Sequence, residues 1–499
     1  MAETSGSLQP APPGMAERLR AAVLAPLAAL RLTYVPLLMV YFSYGALGIV
    51  GVADSFWVKK TLTLSPAELA SLGVWLTLPW AIKMVFGEIV DTVAILGSRR
   101  RIYVFIGAGL IALSLVMLAG TAGGWLTWMA PEHMYVAASL LSVTGVVLQD
   151  VVADAMSTEV VARTLPDGSP RAQADIDHDL GMVQVLGRLA LSMGIFLTAG
   201  LAGWLAQVFD YETVFLIGLV VPAISITGAL LVRLDTSETR PTDWRLLGAG
   251  LAFGLFITAL LAADVPHAQE IVLAVSMVVI AAMLARVTAD MKPETRQRIL
   301  YAALIIFAFR AVPAVGEGYR WFAIDKLGFD EAFFGVLGQI GSGLALVAMW
   351  LLSDSITRQP VARVLLFLTL AGAVLSLPDL SLVFGVHEWT ERVFGFGART
   401  IALADTAVKS PLDNLSMIPL LTLIAIYAPP AKRAIWFALM ASFMNLALVT
   451  GQLMTRHLNE AFVIQRGNYD ALPALYVTVL VLQLLIPLTA IIAFGRRVR

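Results

Sequence analysis

Ser65-Pro-Ala-Glu-Leu-Ala-Ser-Leu-Gly73 is echoed far along the chain by Asp330-Glu-Ala-Phe-Phe-Gly-Val-Leu-Gly338. Each stretch begins on a residue suited to cap a helix, because the side-chain oxygen of Ser65 or Asp330 can accept an otherwise unpaired N–H of the first turn. Each then opens a long apolar run that ends at an aspartate, Asp91 or Asp354, with arginine soon after. A second echo sets Leu148-Gln-Asp150-Val-Val-Ala-Asp154 against Leu403-Ala-Asp405-Thr-Ala-Val-Lys409, both fitting L-x-D-x-x-x-[D/K]. The chain therefore reads as two similar halves, the first six apolar runs mapping onto the last six.

Composition says what medium those runs occupy. Of 499 residues, 59% are hydrophobic and 14% charged, against roughly one-quarter charged in a soluble domain. A bilayer core of about 30 Å takes about 20 helical residues, and in lipid only helices or closed barrels satisfy the backbone. Spans are expected near 34 to 53, 66 to 90, 102 to 121, 133 to 162, 180 to 206, 212 to 232, 244 to 263, 268 to 288, 299 to 319, 331 to 353, 361 to 377, 393 to 427, 431 to 455 and 471 to 494, fourteen in all. Lys and Arg gather at both chain ends and in alternate loops, which places both termini in the cytoplasm and requires an even number of spans. Residues 1–31, with Pro10, Pro12, Pro13 and Gly14 and no signal-peptide core, read as a short cytoplasmic tail.

The expected architecture is thus an all-α polytopic membrane protein. Six-helix halves occupy 32–235 and 293–499, and an inserted two-helix hairpin over 236–292, charged only near its ends, faces lipid. Parallel six-helix halves are the plan of the major facilitator superfamily.

Several function classes fall away. Net charge is -1 with no basic stripe, so nucleic acid has no electrostatic footprint. No cysteine and five scattered histidines leave no disulfide, thiol chemistry or metal site to expect, and nothing calls for a cofactor. No nucleophile–base pairing or large soluble domain supports an enzyme.

What remains unusual is charge inside the spans. An ionisable group there costs about 2.5 to 3.5 kcal/mol on insertion scales, so each needs a reason. Lys83, Asp150, Asp154, Arg188, Arg310, Asp405, Lys409 and Asp413 all lie within spans. Asp150, Asp154 and Ser157 share one helix face, as do Gln184, Arg188 and Ser192. Asp405, Lys409 and Asp413 form an i, i+4, i+8 ladder of alternating sign that can neutralise itself, on a run that Pro411 and Pro419 should bend. These groups either pair with one another to hold or gate the halves, or they make a transport site. In the second reading Lys83, Arg188, Arg310 and Lys409 hold an organic anion, while Asp150, Asp154 and Asp405 carry coupling protons. The loop from Gly87 through Asp91 and Gly97 to Arg99, Arg100 and Arg101 offers a gate: Asp91 can take charge-assisted hydrogen bonds from an arginine and release them as the halves rock, with Asp354 its counterpart. Trp57, Trp75, Trp80 and Trp321 are aromatics able to stack on a planar ligand if they face a cavity.

In Leu78-Pro-Trp80-Ala-Ile-Lys83-Met-Val-Phe-Gly87 through Asp91, and in Gly97-Ser-Arg-Arg-Arg101-Ile-Tyr103, the chain resembles the folate-biopterin transporter family. The likeness continues through Asp150-Val-Val-Ala-Asp154 and Ala428-Pro-Pro-Ala-Lys-Arg-Ala-Ile-Trp-Phe-Ala438 to Asn445. It implies proton-coupled uptake of a folate or pterin. Muropeptide permeases and acetyl-CoA transporters look similar around Lys83 and Asp154, and a drug:proton antiporter is a further alternative. With 27 Arg against 7 Lys, the composition suggests a bacterial inner membrane.

Overall fold

A computed structural model describes residues 30–498 except 99, 166, 232–242, 264, 358–359, 414, 416 and 428–432. Residues 1–29 of the expected tail, Arg99 and the Ala428–Lys432 part of the family-like stretch therefore lie outside the described residues. Among those described, the structure is helical, with three isolated bridges and no strand.

The two echoed segments fold as their caps require. Ser65 Oγ accepts the Glu68 N–H at 3.2 Å while the Glu68 carboxylate accepts the Ser65 N–H at 2.7 Å, a reciprocal capping box. Asp330 Oδ1 accepts the Phe333 N–H at 2.8 Å. In the N-terminal half the helical runs are α1 (Leu32–Thr61), α2 (Pro66–Thr92), α3 (Arg101–Ala122), α4 (Pro131–Glu159), α5 (Asp179–Val208) and α6 (Tyr211–Leu231). Next come α7 (Trp244–Ala262) and α8 (Ala268–Val287). The C-terminal half comprises α9 (Pro293–Arg310), α10 (Glu317–Asp325), α11 (Glu331–Thr357), α12 (Val361–Leu375), α13 (Leu377–Val383), α14 (Val386–Phe394), α15 (Ala398–Asp413), α16 (Met417–Ile426), α17 (Arg433–Ala461) and α18 (Leu472–Phe494).

By length and hydropathy, 11 described helical segments suffice to cross a membrane. The count of fourteen is not reached on that measure, and the three expected spans that fall short show why. The apolar part of α7 covers only Leu247–Leu260. The span expected at 299 to 319 breaks between α9 and α10, around Pro313 and a Gly316 with φ +82°. The span expected at 393 to 427 breaks after Pro411, where Leu415 is a turn residue. A further break interrupts α2 at Ile82, three residues after Pro79, so Lys83 begins a new helical piece.

Where the halves meet, backbones touch. A Cβ on Gly203 of α5 would lie 2.5 Å from the Glu331 carbonyl oxygen and 2.6 Å from Gly335 Cα on α11, so glycine alone fits. We call the end of the bundle where the chain begins and finishes the terminal end, and the opposite one the far end. Among the described residues, the hydrogen bonds joining the halves lie at or beyond the Asn445 donation to the Trp80 carbonyl, toward the far end. There Lys59 pairs with Asp325 at 2.5 Å, Lys60 with Glu331 at 3.0 Å, and Arg466 donates to the Val58 and Lys59 carbonyls. Arg466 also covers the ring of the buried Trp321 at 4.5 Å, and Trp57 packs edge-on against Tyr135 and Phe215, so both tryptophans serve this closed end.

The hairpin α7–α8 leans on α2 and α17. Gln269 donates to the Ser71 carbonyl at 2.9 Å and accepts from Arg456 at 3.2 Å, and Glu88 accepts the Asp243 N–H at 2.7 Å. Its other face exposes Leu251, Leu255 and Val278, the surface an alkyl solvent would cover.

Candidate functional site

The break at Ile82 sets Lys83 on the inner side of α2, and two turns of α4 answer it. Asp150 and Asp154, four residues apart on one face, both reach its ammonium, at 2.5 and 2.6 Å. Tyr41 of α1 donates to the other oxygen of Asp154 at 2.7 Å. One cation thus bridges two acids, an arrangement that leaves the cluster one negative charge in excess. Arg188 of α5 stands exposed nearby, close enough to act on the charge of Asp150 and on Tyr41 but with no ion pair among the described residues. An Arg188–Asp154 pair is therefore not formed; Asp154 is taken by Lys83 and Tyr41. Gln184, one turn before Arg188, donates to Ser157 at 2.8 Å and ties α5 to α4. Trp80 stacks on Tyr44 with centroids 5.9 Å apart, and Tyr44 is within electrostatic reach of Asp150, Lys83 and Arg188. Tyr41 and Tyr44 have no sequence signal beyond lying seven and four residues before Gly48 on an apolar helix.

In the C-terminal half the ladder on α15 reaches a neighbouring helix. Lys409 pairs with Asp379 of α13 at 3.0 Å. Asp379 also accepts from Tyr319 at 2.7 Å and from Tyr476 at 3.2 Å. Asp405 is buried one turn before Lys409, and the Asp413 side chain lies outside the described residues. Arg310, at the C-terminal end of α9, donates to Met417 Sδ at 3.1 Å and meets no carboxylate among the described residues.

At the terminal end, Asp91 does meet an arginine: Arg100 at 2.9 Å. Arg100 is 6% exposed, also grips both oxygens of Glu159 and donates to the Val90 carbonyl at 2.9 Å. One guanidinium thereby ties the end of α2 to the end of α4. Glu159, at the last turn of α4, was not foreseen; only its place opposite an arginine cluster could have marked it. Arg101 instead lies over the Phe105 ring at 5.5 Å. Arg99 and the Asp354 side chain lie outside the described residues. No group of three or more metal-ligating side chains occurs among the described residues.

A family model described as the BT1 family matches residues 45–498. The chain belongs to the BT1 family. The match runs through both halves, so every polar constellation above from Gly45 onward falls inside the BT1 region. Similar proteins include the folate-biopterin transporter of Synechocystis, 26% identical over 460 residues and covering 91% of this chain and 79% of that one. Folate transporter 1 of Plasmodium falciparum is 19% identical, over 84% of this chain and 71% of its own length. Among solved structures, a POT family transporter in complex with 5-aminolevulinic acid superposes with a TM-score of 0.62 at 13% identity, covering 94% of this chain and 96% of its own. The nucleoside transporter NupG does so with a TM-score of 0.59 at 13% identity, over 94% and 100%. This BT1 chain has the major facilitator fold and is a helical integral membrane protein of a transporter family.

Proposed function

We propose that this chain is a secondary transporter that takes up a folate, a pterin or a similar organic anion together with protons, by alternating access. The observation that carries the reading is Lys83, held between Asp150 and Asp154 on the terminal side of a closed far end, with Arg188, which has no ion pair among the described residues, beside it. A substrate carboxylate arriving at Arg188 or Lys83 competes with the aspartates for the same cations, and an aspartate so displaced takes a proton. Substrate and proton then cross together as the halves rock.

In this reading the rocking units are 32–235 and 293–499, the segment 236–292 is an insertion beside them, and the terminal end is cytoplasmic. Asp91–Arg100–Glu159 forms the cytoplasmic gate, which opens without dissolving because Arg100 has alternative acceptors. The membrane is a bacterial inner membrane. The names of the two folate-transporting relatives support the substrate class. The test is uptake of labelled folic acid and biopterin into proteoliposomes holding the purified chain, with and without an inward proton gradient. Gradient-stimulated uptake supports the reading; uptake no greater than in protein-free vesicles for both compounds ends it.

A further inference from the structure

Asp379 collects three donors, Tyr319 at 2.7 Å, Lys409 at 3.0 Å and Tyr476 at 3.2 Å, and its side chain is 15% exposed. Those same three residues line one open-sided cavity of about 460 Å³, bordered by the α9–α10 break, α12, α15 and α18. Asp379 is not on its wall. The three donors are thus shared between a partly buried carboxylate on one side and a void with room for another carboxylate on the other. Ser376, Thr369 and Gln483 add further polar groups to that wall.

The charged groups on the neighbouring elements are these. Asp405, one turn before Lys409 on α15, acts on Tyr319 and Tyr476, and the same helix carries Arg399 and Asp413, the latter's side chain outside the described residues. The segment α14 carries His387 and the exposed Glu388, Glu391 and Arg392; α10 carries Glu317, Arg320 and Asp325; α12 has only Arg363, and α18 no ionisable group besides Tyr476. A carboxylate in such a place keeps its charge only while donors face it.

We propose that this cavity binds a carboxylate of the transported anion, and that Asp379 is the group that gives up its donors to it by taking a proton. The exchange balances: Lys409 stays cationic, the incoming carboxylate brings one negative charge, and the proton that forms the Asp379 O–H bond removes one. On release the carboxylate leaves, Asp379 loses its proton to solvent, and Lys409 returns to it. The inference rests on the proton-coupled reading above and adds where, at the far side of the C-terminal half, one proton and one carboxylate trade places. Lys83 with Asp150 and Asp154 then serves the terminal side.

The test counts protons. Folic acid is titrated into the detergent-purified full chain by calorimetry in two buffers of different ionisation enthalpy, which gives the protons taken up per folate bound. The Asp379→Asn variant should take up about one proton fewer than wild type and retain folate exchange while losing stimulation by a proton gradient. Asp379→Glu should restore the uptake, and Lys409→Gln should weaken folate binding by about tenfold or more, about 1.4 kcal/mol. A merely structural Asp379 would lower the melting temperature of the Asn and Glu variants alike and leave the proton count unchanged. An equal proton count in wild type and a folded Asp379→Asn, or unaltered affinity in Lys409→Gln, overturns the proposal. The Lys409 arm decides if the Asn variant does not fold. Folate binding with no gradient-driven uptake by wild type would defeat the coupling reading alone, since the proton count still judges Asp379. No folate binding by wild type would defeat both.

Discussion

Lys83 neutralises two carboxylates at once, so its removal leaves both without a cation. Breaking one partner out of a buried ion pair costs about 3–5 kcal/mol, and with Asp154 48% exposed the loss for Lys83→Gln should sit at the low end, about 3 kcal/mol. Thermal melting should show a clear drop, and adding Asp150→Asn to the same chain should recover most of it. A melting temperature unchanged in the single variant would mean that water already screens the cluster. Arg188 poses the opposite case, because it forms no ion pair among the described residues and acts on Asp150 only from a distance. Arg188→Ala should leave the melting temperature close to wild type yet abolish binding of folic acid, and Arg188→Lys should restore little, since a forked guanidinium and an ammonium present different donors to a carboxylate. Equal folate affinity in all three proteins would remove Arg188 from the site. The types of these residues were legible in the sequence, since ionisable groups in a span stand out. Their partners were not. Lys409 has Asp405 and Asp413 at helical spacing on its own helix, and it also meets Asp379, thirty residues earlier on another helix, a contact that no spacing within α15 could announce.

Helix ends and helix contacts carry the next level. Asp330 caps α11 through the Phe333 N–H and also holds Arg399 at 2.8 Å. Burial pushes its carboxyl up, but those hydrogen bonds and the Arg399 charge outweigh it and hold the group below its ordinary value. A depressed carboxylate stabilises the folded chain above its unfolded pKa, about 3.9, and loses that contribution as pH falls through the depressed value. Asp330→Ala should therefore cost about 1 kcal/mol at neutral pH, as loss of an N-cap does, and the difference from wild type should shrink only below about pH 4. Melting curves at pH 7, 5 and 3.5 would show it, and a difference already gone at pH 5 would contradict the assignment. Gly335 governs a different property. Its added Cβ would fall 2.8 Å from Gly203 Cα, so Gly335→Val forces α5 and α11 apart at the far end. The chain has no cysteine, so a single Val52→Cys reporter beside that seam can be labelled cleanly. Labelling should be several-fold faster in the Gly335→Val background, and an equal rate would show that the seam yields elsewhere.

Taken whole, the described hydrogen bonds and ion pairs between the halves close the molecule at its far end. The far-end clasp joins Lys59 to Asp325, which Tyr469 also donates to, and Lys60 to Glu331, which Tyr211 also donates to. These bonds hold only while that end is shut, so they add to the free energy of one state over the other. Neutralising both acids, Asp325→Asn with Glu331→Gln, should shift the population toward far-end opening. The Val52→Cys reporter should then label faster, while folding, which does not depend on these peripheral pairs, remains intact. Unchanged labelling would mean that the apolar and glycine contacts of α5 with α11 and of α2 with α17 suffice to keep the end shut.

By itself the sequence determined the medium, the helices, their caps and the two-half plan, because hydropathy, capping and repetition are local and survive any choice of helix rotation. It also named Asp91, which meets Arg100, and the Asp150–Asp154 face, which meets Lys83. Only the tertiary structure decided the remaining partners. Asp379, Glu159, Tyr41 and the far-end acids act across helices, and which side chains converge there depends on the breaks at Ile82, between α9 and α10, and between α15 and α16. A break re-aims everything beyond it, and a lysine or arginine reaches far enough to choose among several acids. Pairing between helices is therefore set by their relative rotation and depth, which no single helix encodes.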